Sequence, residues 1–174
     1  MGKIYYKGKS YTQLILSLSS KNSVRDLLGL LLSIKTPLKY PYDVQWEFVV
    51  MELLTNSIIA SIKNNVDNPI ILFLDVDKTF FTTIVSDGAG GFDFKTLPYD
   101  IFAKDISNID VFDKLFEEYR AREGYARFGL GLYAAKKFAD YFDIFLIDKK
   151  GNKTISFSEG MINGTKVIIR KRIK

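Results

Sequence analysis

The chain has 174 residues, 47% of them apolar and 14% aromatic, with a formal net charge of +5 and neither cysteine nor histidine. This supplies one domain, residues 1–174, with a full core, and argues against a disordered chain. The missing cysteine excludes disulfides and thiolate metal sites, and the missing histidine excludes imidazole ligands, histidine bases and a phosphohistidine acceptor within this chain.

Residues 1–10 read as a polar, frayed start without the apolar core of a leader segment. Residues 13–19 suit a first strand. Ser23 then opens a helix, with Asp26 at capping-box spacing and an apolar stripe of Val24, Leu27, Leu28 and Leu31. The run LLGLLLSI is far too short to cross a membrane, so a cytoplasmic protein without membrane contact is expected. Pro37 and Pro41 break the chain, and Asp43 is a candidate N-cap for a long helix ending near Asn65. Residues 69–75 and 79–85 are β-rich runs split at Asp77-Lys78, which predicts a hairpin. A glycine turn follows at 88–91.

The long connection 92–126 has little strand character. Val111, Phe112, Leu115, Phe116 and Tyr119 within it have helical spacing, and a connection of this length is usually functional, often a lid. A helix is expected over 129–142 and strands over 144–149, 154–158 and 166–173, with turns at Gly151-Asn152 and Asn163-Gly164. The sum is an α+β sandwich of two layers, helices on one face of a mixed, mostly antiparallel sheet. The basic end RKRIK reads as a solvated last strand. Aromatic residues do not interleave with the basic ones, so no direct nucleic-acid contact is expected.

Three groups of residues can carry chemistry. Glu52 and Asn56 lie four apart on the long helix and share one face, in an apolar setting that such groups rarely occupy without a partner. The amide offers Mg²⁺ a neutral oxygen, and the carboxylate can orient or deprotonate a nucleophile. Asp87, followed by Gly88, Gly90 and Gly91, can accept a hydrogen bond from a neutral donor such as the adenine amine. Asp-Gly equally marks a tight turn. Gly129 and Gly131, in RFGLGL, precede a helix whose free amides can hold phosphate, or simply form its entry turn. The sequence has neither a P-loop nor the third glycine of a dinucleotide fingerprint.

ELLTN (52–56), DGAGG (87–91), RFGLGL (127–132) and NGTKVII (163–169), in that order, resemble the N-box, the two glycine boxes and the closing Gly-Thr strand of the GHKL ATPases. That family includes gyrase-type topoisomerases, large heat-shock chaperones, histidine kinases, mismatch-repair ATPases and anti-sigma-factor serine kinases. The resemblance implies the Bergerat α/β sandwich, with ATP and Mg²⁺ as cofactors. By it, Asn56 coordinates Mg²⁺ and Glu52 is the catalytic base. Asp87 binds the adenine amine, supported by Thr165 through water, and Gly91 lies along the nucleotide. Gly129, Leu130 and Gly131 contact phosphates through backbone groups, Arg127 touches the γ-phosphate, and 92–126 is the ATP lid.

Two positions depart from the family pattern. Ala89 stands where the first glycine belongs, and a positive φ there would cost energy. Arg127 opens the second glycine box, as in the anti-sigma serine kinases. The compact length favours that layout: a protein serine kinase that phosphorylates or sequesters a sigma factor, an anti-sigma-factor antagonist or another signalling protein. A histidine-kinase-type ATPase domain acting on a histidine of another protein is the alternative, supported by VFDKLFEEY (111–119). A non-catalytic ATP-gated binding module is the third reading. The leucine-rich helix 24–34 could serve a homodimer, although a core role is its simpler reading.

Overall fold

Strict alternation of buried and partly buried residues builds the centre of the molecule. The computed structural model describes residues 2–122 and 130–173. The chain runs through β1 (Ile4–Tyr6), β2 (Lys9–Tyr11), β3 (Gln13–Leu18), α1 (Val24–Leu32), β4 (Ile34–Lys35), α2 (Tyr42–Lys63), β5 (Ile70–Val76) and β6 (Phe80–Ser86). A 3-10 turn at Phe94–Thr96 follows, then α3 (Lys114–Arg122), α4 (Leu130–Phe138), β7 (Tyr141–Asp148), β8 (Lys153–Thr154) and β9 (Ile162–Arg172). The class is α+β. One sheet has six strands in the order β3-β5-β6-β9-β7-β8, and a smaller one has the order β2-β1-β4.

Every ladder among the described residues is antiparallel, not mixed as expected. Tight turns join β1 to β2, β5 to β6 and β7 to β8, and β9 returns between β6 and β7. No described helix is long and apolar enough to cross a membrane.

In β5, residues 70, 72, 74 and 76 are buried, and in β6 residues 81, 83 and 85. The register pairs Leu72 with Val85 and Leu74 with Thr83, so one face of the sheet carries the core. Helix α2 packs on β5 and β6, α4 packs on β7 and β9, and α1 packs against α2. Leu53, Leu54, Val49 and Val50 of α2 are buried in that layer. Truncating a buried leucine of this kind to alanine typically costs about 2–5 kcal/mol.

Trp46 of α2 is fully buried against Phe81, with ring centroids 5.6 Å apart. Its indole Nε1 donates to Thr83 Oγ1 at 2.8 Å. Thr83→Val should therefore strand a buried donor and lower stability by about 1–3 kcal/mol. Urea unfolding reads this, and an unchanged midpoint would show that the bond contributes nothing.

Several boundaries differ from expectation. The first ten residues are not frayed: Ile4 is fully buried and pairs with Tyr11, and Lys7 and Gly8 turn the hairpin with positive φ. Helix α1 has both bonds of the expected capping box between Ser23 and Asp26. Helix α2 starts earlier than Asp43, with Pro41 at the N-cap and no side-chain cap. Its first turn still gains from the Asp43 carboxylate, which faces the positive end of the helix. Helix α4 ends at Phe138, because the β-prone run from Tyr141 joins the sheet three residues before the expected strand start at Ile144. Strand β9 starts at Ile162, so Asn163-Gly164 lies within a strand and the turn falls at 158–161, where Gly160 takes φ 71°.

The connection after β6 is not a bare loop. Tyr99 stacks on Phe116 at 5.6 Å, and Tyr133 of α4 meets both rings edge-on. Lys136 of α4 donates to the carbonyls of Ile101 and Ala103. The helical spacing read over 111–119 yields α3 only from Lys114. Phe116 and Tyr119 are buried there, while Phe112 lies before the helix and is 87% exposed.

Candidate functional site

Between α2, the sheet and the connection lies a cavity of about 510 Å³. That volume falls in the usual range for small-molecule sites. Val85, Ile144 and Val167, from β6, β7 and β9, give it apolar lining, and Phe92 and Phe157 add aromatic surface. Glu52 and Asn56 line it from α2, Asp87 and Gly91 from the segment after β6, Gly131 from α4 and Thr165 from β9. The six residues come from four separate parts of the chain. Leu130 begins α4, and its side chain packs on the apolar core and not in the cavity. Arg127 and Gly129 lie outside the described residues.

Asp87 sits where β6 ends, and its carboxylate is held from three directions. Oδ1 accepts from the backbone N–H of Ala89 at 3.0 Å and of Thr165 at 3.4 Å. Oδ2 accepts from Ser57 Oγ at 2.9 Å. Close approach makes this possible: a Cβ on Gly164 would overlap the Asp87 carbonyl oxygen.

The strained conformations of the DGAGG turn fall on Gly90 (φ 86°) and Gly91 (φ 68°), and Ala89 has no positive φ. Ala89 is instead fully buried, and its carbonyl accepts from Asn64 Nδ2 at 2.6 Å. Asn68 Nδ2 donates to the Gly88 carbonyl at 3.1 Å. The glycine turn is thus tied to the end of α2 and the following turn.

At the other part of the cavity, α4 runs tightly against α2. A Cβ placed on Gly131 would sit 3.1 Å from both Asn56 Nδ2 and Glu52 Cβ. That contact is tighter than a side chain normally tolerates, so the glycine lets the two helices meet beside the acid and the amide. Burial pushes the Glu52 carboxyl above the ordinary glutamate value. From Ser57 back to Glu52 is five residues of helix, about 7.5 Å along the axis.

Among the described residues no group of three or more acidic or other strong metal ligands gathers anywhere. A Mg²⁺ ion beside Asn56 would therefore take its remaining ligands from phosphate oxygens and water, the usual mode for this ion at nucleotides. The Asn56 amide at the cavity wall fits that mode.

Ser57, Asn64 and Asn68 were not evident as site residues in the sequence. Ser57 had one signal: with Ser61 it interrupts the buried face of α2, and both are buried. The two asparagines read only as helix-end and turn residues.

No family model matches the chain, and no curated protein matches it in sequence.

Proposed function

We propose that this chain is a Mg-ATP-binding domain of the GHKL kind with the Bergerat fold. The observation that carries the reading is the convergence of Glu52, Asn56, Asp87, Gly91, Gly131 and Thr165 on one cavity. In this reading Asp87 accepts a hydrogen bond from the adenine amine, with Ser57 and the Thr165 N–H fixing its carboxylate. The apolar lining from Val85, Ile144 and Val167 takes the base. Asn56 holds Mg²⁺, and backbone groups at the start of α4 contact phosphate.

The activity proposed is phosphorylation of a serine on a partner protein, such as a sigma factor or an anti-sigma-factor antagonist. Bound Mg²⁺ would neutralise phosphate charge. Glu52 would take the proton of the attacking hydroxyl, and positioning would do most of the rest. The raised pKa of Glu52 suits a proton acceptor better than an ordinary surface carboxylate. A second reading, an ATP-gated binding module without turnover, draws support from the connection itself. Its aromatic cluster and its Lys136 anchor make it a built surface that a bound nucleotide could reposition for a partner.

The first test is a melting curve. Mg-ATP at about a hundredfold its dissociation constant adds about 2.7 kcal/mol of stability by mass action. For a chain of this length that raises the melting temperature by about 5–10 °C. No shift at saturating Mg-ATP would remove the nucleotide assignment.

A further inference from the structure

The face of the six-stranded sheet that does not carry the core is a feature the cavity leaves unexplained. Register sets Ile15, Phe73, Ile84 and Ile168 side by side across β3, β5, β6 and β9. Ile15 is 65% exposed and the other three are only partly buried. A continuous apolar row on a solvent-facing sheet marks an interaction surface.

The neighbouring row identifies the occupant. It runs Gln13, Asp75, Thr82, Arg170, Tyr141 across β3, β5, β6, β9 and β7. Asp75 and Arg170 stand one strand to either side of β6. Arg170 is 37% exposed, with its guanidinium held 4.3 Å over the Phe80 ring and 3.5 Å from Asp77. Two sheets packed face to face keep their strands nearly aligned at a spacing of about 10 Å.

Consider a two-fold axis lying along β6 between two such faces. It carries β5 of one copy over β9 of the other. Asp75 then meets Arg170 of the second copy, twice by symmetry. Phe73 meets Ile168, also twice, and Ile84 meets Ile84. Gln13 comes opposite the Tyr141 hydroxyl. Asp75 and Arg170 complement each other about β6, as an isologous contact favours, while Ile15 comes opposite Asp143 of β7.

We propose that this chain forms a homodimer through the open sheet face, sheet on sheet, about an axis along β6. The proposal is independent of the nucleotide reading, because none of these residues lines the cavity.

Sedimentation velocity on the full chain tests it. The expected species at micromolar concentration has twice the 19.9 kDa chain mass. Ile84→Lys should give monomer with the melting temperature and any Mg-ATP shift retained. Ile15→Asp, at an exposed position that the axis sets opposite Asp143 of the second copy, should weaken the dimer even if Ile84→Lys does not fold.

The charge pair tests the register. Asp75→Arg and Arg170→Asp should each raise the dissociation constant about tenfold or more, since like charges are then opposed. The double variant restores the pairing and should return to within about threefold of the parent. A parent chain that stays monomeric at all accessible concentrations would overturn the proposal. So would a dimer indifferent to both Ile84→Lys and Ile15→Asp, or a double variant no tighter than the singles.

Discussion

Asp87→Asn is expected to abolish the gain in melting temperature that Mg-ATP gives, while the unliganded protein melts within a few degrees of the parent. The hydrogen bonds decide the direction of the effect. The oxygen at the Oδ1 position must keep accepting from the Ala89 and Thr165 N–H groups, so the new amide nitrogen takes the Oδ2 position. Ser57 Oγ can rotate from donor to acceptor there, and the fold loses little. An adenine amine meets a donor in place of an acceptor. Each unpaired buried donor costs about 1–3 kcal/mol, so two facing donors weaken binding by roughly a hundredfold or more. That removes a shift measured at a hundred times the dissociation constant.

The same substitution makes a second, opposite expectation. Guanine carries a carbonyl acceptor where adenine carries its amine. The parent should show no shift with Mg-GTP, and Asp87→Asn should gain one. An Asp87→Asn protein still fully stabilised by ATP would mean that this carboxylate faces something other than the base, and the DGAGG turn would revert to a structural hairpin.

Much of the fold was legible because its elements are locally marked. The period-two runs of β5 and β6, with Asp77 accepting from the N–H groups of Thr79 and Phe80 at the turn, declare a hairpin without tertiary help. The Ser23–Asp26 capping box is equally local. What failed depends on distant contacts. Ile4 is buried because β1 pairs with both β2 and β4, and β4 lies nearly thirty residues on. Asn163-Gly164 looks like a turn, yet β7 and Asp87 claim it for β9, with a register shift at Ile147/Asp148.

The site follows the same division. Glu52 and Asn56 were visible as polar residues in an apolar helix, and the glycines as clustered exceptions. Ser57, Asn64 and Asn68 act through partners 20 to 30 residues away, which no local pattern announces. Ala89 carries no strain for a related reason: the positive φ of the turn belongs to Gly90 and Gly91, which sequence spacing alone could not assign.

Glu52→Gln should stop phosphoryl transfer to a partner serine, with a loss of about 10²–10⁴-fold, the usual contribution of a general base. Mg-ATP binding should survive, because the variant keeps the shape of the cavity beside Asn56 and Gly131. The pH profile carries the more specific expectation. Burial raises the Glu52 pKa above the ordinary glutamate value, so the ionised, proton-accepting form is lost as pH falls through a point higher than for a solvated glutamate. The acidic limb of the parent's rate should lie there, and it should vanish in the residual activity of Glu52→Gln.

Stability gives the independent check. A carboxyl whose pKa is raised on folding favours the native state most below its unfolded pKa, and that contribution is lost as pH rises through the folded value. At neutral pH the folded protein therefore holds a charge it would rather not bury, and glutamine removes that cost. Glu52→Gln should melt no lower than the parent at pH 7, with the difference narrowing toward pH 4. Lost transfer with retained ATP binding and equal or higher stability assigns the carboxylate to chemistry. Lost transfer with a lower melting temperature at pH 7 would instead make Glu52 a structural residue of α2, and the kinase reading would lose its base.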